Sequence, residues 1–501
     1  MLSAGLDSIL ARRRLSQWPI IATIGAIAAL GQEPFGIWPA TMCALGLIFA
    51  LIRKARSARQ ALGVGWIAGA GYFALALSWI VEPFFVDVAR HGWMAPFALL
   101  GVSIGFGLFW AFVGWVTFKA RGQALAFIGA FIIAEFVRGY ALTGFPWAQA
   151  GHVLIDTAWL HLASYAGSLG LTSLVVLGAI GVADLFDKKW LVAAAAFGVS
   201  AVLLVASYAL TPNAHATDQS PIIRIVHTNE RQQDRWDPDK IPGNFQRKLE
   251  FTAGHDADPR PALIVWPETS IPTLLERADT ALAAIADDAN GAPVIAGLQR
   301  FNGDDFFNSL IELNGEGDVS AIYDKHHLVP FGEYLPFGDI LAKFGIFGLS
   351  DTTGGGYQPG PGPQVLDMGE LGTALPLICY EGVFPQDVGG YDTRPDFLML
   401  ITNDAWFGEI SGPYQHLAQA RLRSAEQGLP MIRSANTGIS AMIDATGRIT
   451  HQKSLNEAGW IDAPLPPSLP MTVYARLGDL PIAALALFLV GFGWFRARVW
   501  S

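Results

Sequence analysis

The 501-residue chain is 52% hydrophobic and only 15% charged, too apolar for an ordinary soluble protein and too diluted for a bare membrane bundle. Its formal net charge of -10, with no basic run in the more polar half, excludes a nucleic-acid surface, because phosphate binding needs a cationic patch. Two cysteines, Cys43 and Cys379, are too few for a disulfide framework or a thiolate metal cluster.

Spanning a bilayer takes about 20 mostly apolar residues, and such windows lie at roughly 17–33, 35–52, 61–81, 94–118, 123–142, 164–185, 190–210 and 477–495, which makes about eight helices. Only Gln32, Glu33, Pro34, Phe35 and Gly36 separate the first two. Arg12, Arg13 and Arg14 ahead of the first window also suit the n-region of a signal peptide, but a second apolar window follows at once and no small-residue cleavage site intervenes. Cations in short loops set the orientation. Those three arginines, with Arg53, Lys54, Arg56, Arg59, Lys119, Arg121, Lys188, Lys189, Arg496 and Arg498, fall on one side of an eight-span chain, whereas the opposite loops hold Arg90 and little else. Both termini are therefore expected in the cytoplasm and the polar insert outside it. On the fifth window Glu135 and Arg138 share a helix face and fit either a structural ion pair or a functional one. Phe84, Phe85, Trp93, Phe145, Trp147 and Trp159 sit in the outer loops, where aromatics either anchor at the interface or line a lipid entrance.

These windows predict a multi-span α-helical domain over 1–211, an extracytoplasmic α/β domain over 212–476 and a last transmembrane helix with a cytoplasmic tail over 477–501. Within the insert, strands are expected at Ile223–Thr228, Leu263–Pro267, Val294–Leu298, Ser309–Leu313, Ser320–Tyr323, Ala374–Cys379, Phe397–Thr402 and Ser440–Ile443, with helices over about 239–255, 272–287 and 414–427.

Three of these strands run into chemically capable residues: Glu268, Lys325 and Cys379. A cysteine carries an acyl group once a base takes its proton, and a thioester remains open to attack by an amine. Glu268 suits the base and Lys325 the stabiliser of a tetrahedral oxyanion, with Glu333 and Glu381 able to orient the lysine. A papain-like pair, with His326, His327 or His416 as base, is the rival arrangement. No phosphate-cradling glycine motif or metal-ligand spacing stands out, so neither cofactor nor metal is expected.

Trp-Pro-Glu-Thr at 266–269, Tyr-Asp-Lys-His-His-Leu-Val-Pro-Phe-Gly-Glu-Tyr-Leu-Pro at 323–336 and Ile-Cys-Tyr-Glu at 378–381 resemble the glutamate, lysine and cysteine motifs of the nitrilase superfamily. Together with Thr-Asn-Asp-Ala-Trp-Phe-Gly at 402–408, Gly-Pro-Tyr-Gln-His-Leu at 412–417 and Arg-Ser-Ala-Asn-Thr-Gly at 433–438, they are similar to its membrane-embedded branch, the apolipoprotein N-acyltransferases. The resemblance implies an α-β-β-α sandwich in a bacterial inner-membrane protein with its catalytic domain in the periplasm. It also implies a two-step transfer of an acyl chain from a phospholipid such as phosphatidylethanolamine, through Cys379, to the N-terminal amine of a diacylglyceryl-modified apolipoprotein. Glu268, Lys325 and Cys379 take the catalytic positions. Trp236, Glu333, Tyr380 and Glu381 match accessory positions, and Trp147 is counted with them. Gly382 departs from the β-branched residue expected there. A monomer in contact with membrane lipids is expected.

The apolar stretch Phe337–Leu349, followed by Gly354, Gly355 and Gly356, reads as a lid that dips into lipid or as a helix packed in the core. A tethered amidase needs one span rather than about eight, and a transporter usually shows paired repeats and polar groups at mid-membrane, whereas this sequence holds neither a convincing repeat nor a chain of ionisable residues.

Overall fold

Each apolar window folds as a helix: Arg14–Ala29, Trp38–Lys54, Ala58–Ala76, Ala95–Lys119, Ala124–Tyr140, Ala163–Phe186, Trp190–Leu210 and Leu480–Val499. The computed structural model describes residues 6, 9–10, 14–254, 260–336 and 356–499. The proposed lid over Phe337–Leu349 lies outside the described residues. Among those described, four segments are long and apolar enough to cross a bilayer: Val88–Lys119, Ala158–Phe186, Trp190–Leu210 and Leu480–Val499. Ala58–Ala76 with Ser78–Phe85, bent by 47°, makes a fifth if the pair is one span. The expected count of about eight is not reached on this measure. Helices of 16 and 17 residues extend only about 24–26 Å against a hydrocarbon core of about 30 Å.

Arg14–Ala29 and Ala58–Ala76 approach through glycines. A Cβ on Gly25 would lie 1.9 Å from the Ala68 carbonyl oxygen, and one on Gly71 would lie 2.0 Å from that of Ala22. Glu135 and Arg138 form a buried ion pair. Arg138 Nη1 also donates to the carbonyl oxygens of Phe145 and Trp147, at 2.6 Å each, so the pair closes the loop that follows its helix. Trp147 and Trp159 are buried packing residues, whereas Trp93 remains 68% exposed.

These helices form one unit, Met1–Thr211 with Ile410–Leu422 and Met471–Ser501; the second comprises Pro212–Glu409 and Arg423–Pro470. Residues 410–422 and 471–476, read from sequence as part of the polar domain, thus cluster with the helices. Gln415 supplies the reason for the first segment. Its Nε2 donates to the carbonyl oxygens of Glu33 at 3.0 Å and Ala76 at 3.1 Å, and its Oε1 accepts from Trp147 Nε1 at 2.7 Å.

The second unit is built on two sheets. The strands are β1 (Ile222–His227), β2 (Leu263–Val265), β3 (Val294–Asn302), β4 (Asp305–Leu313), β5 (Val319–Asp324), β6 (Leu366–Asp367), β7 (Thr373–Ile378), β8 (Phe397–Thr402), β9 (Met431–Ala435), β10 (Ser440–Ile443), β11 (Ile449–Lys453) and β12 (Gly459–Pro464). Their orders are β12-β1-β2-β3-β4-β5 and β11-β10-β9-β8-β7-β6. The centres, β1-β2-β3 and β7-β8-β9, are parallel and the flanks antiparallel.

Strand alternation explains the layers. Ile223, Ile225, Leu263 and Val265 point from the first sheet into a core shared with Ile378, Met399, Ile401 and Ile432 of the second. Val226 and Ile264 point the other way, with Trp266, onto Leu249, Leu282 and Ile285 of helices Ile241–Ala253 and Asp279–Ala289. Central strands covered on both faces tend to read as continuous apolar runs, which is why β2, β7 and β8 were visible in the sequence. The helix expected from residue 272 starts at Asp279, because Leu274 instead bridges to Gln299 of β3. Strands β6, β9, β11 and β12 had no strand reading.

Candidate active site

The connection after β2 carries Glu268, β5 runs directly into Lys325, and β7 runs directly into Cys379. The first two belong to one sheet and the third to the other. Lys325 is fully buried, with Nζ 2.8 Å from Glu333 Oε1 and 3.7 Å from Glu268 Oε1. Burial opposes its charge, but Glu333 and then Glu268 outweigh that cost and hold the ammonium well above its ordinary pKa. Glu268 is fixed on both oxygens: Oε1 accepts from Asn308 Nδ2 at 2.7 Å and Oε2 from the Asn403 backbone N–H at 2.9 Å. Burial raises its pKa, with Lys325 opposing and Glu333 adding to the rise.

Cys379 is buried and has φ +52°, a left-handed conformation in which a non-glycine residue is strained. Burial and then the Glu268 charge push its thiol up, against Lys325 and a hydrogen bond with Thr402. A protonated thiol thus shares a buried site with a carboxylate of raised pKa and a charged lysine. Such a set can pass a proton, present a nucleophile and balance a developing oxyanion.

The accessory residues divide by role. Glu333 binds Lys325 and accepts the Val329 N–H at 2.8 Å through Oε2. Glu381 accepts the N–H of Ile378 at 2.6 Å and that of His326 at 2.7 Å. The Tyr380 ring packs edge-on to Phe384, with centroids 4.7 Å apart. Trp236, half exposed, lines a small polar cavity with Glu230, Arg235, Lys248 and Thr269. Trp147 and His416 belong to the helical unit, where their rings lie 5.6 Å apart. His326 and His327, the other rival bases, are occupied by Glu381 and Asp387.

Several supporting residues had no sequence reading. Asn308 reaches Glu268 from β4, and Arg235 Nη2 donates to the Glu268 carbonyl oxygen at 2.5 Å and to that of Thr269. Gly297 on β3 lets the Glu268 loop lie close, since a Cβ there would stand 2.4 Å from Thr269 N. The motifs at 402–408 and 433–438 gain roles: Asn436 Nδ2 donates to Asn403 Oδ1 at 2.9 Å, and Arg433 pairs with Asp404 at 2.6 Å with both side chains fully buried. Gly382 is packed rather than loose, because a Cβ would meet Leu400 Cδ2 at 2.9 Å.

The family model described as Apolipoprotein N-acyltransferase N-terminal domain matches residues 24–181, and that described as Carbon-nitrogen hydrolase matches residues 231–470. An apolipoprotein N-acyltransferase of Caulobacter vibrioides is 36% identical, with 97% of this chain and 96% of the relative covered. The chain belongs to the apolipoprotein N-acyltransferase family. Family members from Bradyrhizobium diazoefficiens and Rhodopseudomonas palustris are 36% and 34% identical, over 94% and 92% of this chain and 93% and 91% of theirs. Among solved structures, a CN-hydrolase superfamily protein from Xanthomonas campestris aligns at 20% identity and TM-score 0.36, over 56% of this chain and 95% of its own. Apolar helices and this membership together make the chain a membrane protein.

Proposed function

We propose that this chain is an inner-membrane enzyme that moves a fatty acyl group from a phospholipid to the N-terminal amine of a diacylglyceryl-modified lipoprotein, by way of a thioester on Cys379. The observation that carries the reading is the buried Glu268–Lys325 pair at 3.7 Å, whose charges act directly on the Cys379 thiol. Glu268 takes the thiol proton as sulfur attacks the ester carbonyl of the phospholipid, and Lys325 balances the oxyanion. Collapse breaks the ester C–O bond, and the proton on Glu268 leaves with the lysophospholipid. The lipoprotein amine then attacks the thioester, gives its proton to Glu268 and forms the amide, after which the thiol is restored. Glu333 keeps Lys325 charged through both steps.

The eight helices are assigned as eight spans, with both termini cytoplasmic and residues 212–409 and 423–470 in the periplasm. The cation asymmetry of the short loops supports this orientation. Both substrates are lipids of the outer leaflet, so chemistry on that face suits them. The protein acts as a monomer, and Trp236 and Tyr380 serve substrate binding, whereas Trp147 is a packing residue of the helical unit.

The test is intact-mass analysis of wild type and Cys379→Ala after incubation with phosphatidylethanolamine alone. An acyl-sized gain on wild type, released by hydroxylamine and absent from the variant, is expected. Its absence under rapid quenching overturns the thioester route, and its decay in water as fast as in the presence of a lipoprotein acceptor favours a hydrolase.

A further inference from the structure

Glu381 ties together the two backbones that deliver Lys325 and Cys379. Its carboxylate is fully buried; Oε2 accepts the N–H of Ile378 at 2.6 Å, and Oε1 accepts those of His326 at 2.7 Å and His327 at 3.3 Å. One side chain thus joins the residue before Cys379 to the two residues after Lys325, across strands from different sheets. A buried anion holds such a post only with a compensating charge beside it.

That charge comes from a chain of groups ending at Asp387. His326 Nδ1 lies 2.7 Å from Glu381 Oε1, and its Nε2 lies 3.7 Å from Asp387 Oδ1. His327 Nδ1 lies 2.7 Å from Asp387 Oδ2, and its ring stacks on Phe384 at 3.8 Å between centroids. From β5 the Tyr323 hydroxyl reaches His326 Nδ1 at 2.8 Å, and Asp324 and Lys325 flank the same turn; Tyr380 faces His327 edge-on at 5.5 Å.

We propose that Asp387, with His326 and His327, forms a clamp that fixes Glu381 and, through it, the spacing of Lys325 and Cys379. These are positioning residues, and the inference rests on the reading that Lys325 and Cys379 act in one acyl-transfer step. Burial pulls the His326 pKa down, but the nearby carboxylates of Asp387 and Glu381 more than offset it and raise it to about 9. Burial works against the Asp387 carboxylate, but His326 and His327 hold its pKa below the usual range. Deprotonating His326 leaves Glu381 and Asp387 as buried anions with one cation fewer between them, and the clamp loosens.

The experiment follows the rate of acyl-adduct formation on Cys379 against pH, in the full-length protein with phosphatidylethanolamine. Wild type should hold its plateau to about pH 9. Asp387→Asn should match wild type within about twofold below pH 6.5 yet lose activity at a limb displaced downward by roughly one pH unit or more. His326→Asn keeps an amide N–H toward Glu381 but cannot be charged, so its slower profile should lack the limb. A limb that stays in place in Asp387→Asn, a uniform slowing of Asp387→Asn at every pH, or a limb near pH 9 that survives in His326→Asn overturns the clamp. No adduct on wild type defeats the acyl-enzyme reading beneath it, whereas an adduct with unshifted variant profiles defeats the clamp alone.

Discussion

Glu268 can accept the thiol proton only while it is ionised, so its environment sets the acid side of the rate profile. Because burial raises its pKa, activity should fall as pH drops through that raised value. Asn308→Ala removes a hydrogen bond that favours the carboxylate and should move this limb to higher pH; a limb that stays put in acylation-rate measurements argues against Glu268 as base. Glu268→Gln should slow acylation by ~10²–10⁴-fold. His227 affects stability instead. Its ring is fully buried, Nδ1 lies 2.8 Å from Ser440 Oγ, and burial lowers its pKa to about 4. The folded value lies below the unfolded one of about 6.5, so the unfolded chain takes the proton first as the medium acidifies. Stability should therefore be intact above pH 6.5 and fall between there and pH 4 by ~3 kcal/mol. His227→Asn cannot take up this proton, and its melting temperature should vary less over that window than that of wild type.

Helix Gly412–Gln427 is tied at its first turns by one amide, since Gln415 meets three different segments of the helical unit. Gln415→Ala should cost ~1–3 kcal/mol, seen as a lower melting temperature of the intact protein; an unchanged melt would mean these bonds are replaced by water at no loss. The same contrast between local and distant partners decides what was legible in the sequence. Strands β2, β7 and β8 were readable because each is a short apolar run buried on both faces, and β1 because four aliphatic residues surround its single Arg224. Strand β9 hides behind Arg433, whose buried charge is matched by Asp404, 29 positions away, and β11 is a polar edge strand, Ile-Thr-His-Gln-Lys. Glu268, Lys325 and Cys379 stood out as strand-end residues within long motifs, but Asn308 and the Asn403 N–H reach Glu268 from 40 and 135 positions away, and no local pattern announces such partners.

Across the whole molecule, the orientation can be checked through its two cysteines, which can be removed to leave a blank background. In Cys43→Ala, Cys379→Ala protein, a single cysteine at Asn213 should react with a membrane-impermeant maleimide in intact spheroplasts, and one at Arg56 only after permeabilisation; the reverse pattern would invert the assigned topology. The sheet order carries a further consequence, for synthesis. Strand β1 pairs with β12 along Ile222↔Pro464 to His227↔Gly459, so the chain leaves one flank of β1 without its partner until nearly the whole sequence has been made. At 5–20 residues per second that wait is roughly ten to fifty seconds. A bare strand edge invites pairing with other chains. The nascent protein thus passes through a vulnerable interval whose length is fixed by translation speed, and slowing elongation between β1 and β12 should increase the fraction of chains lost to aggregation.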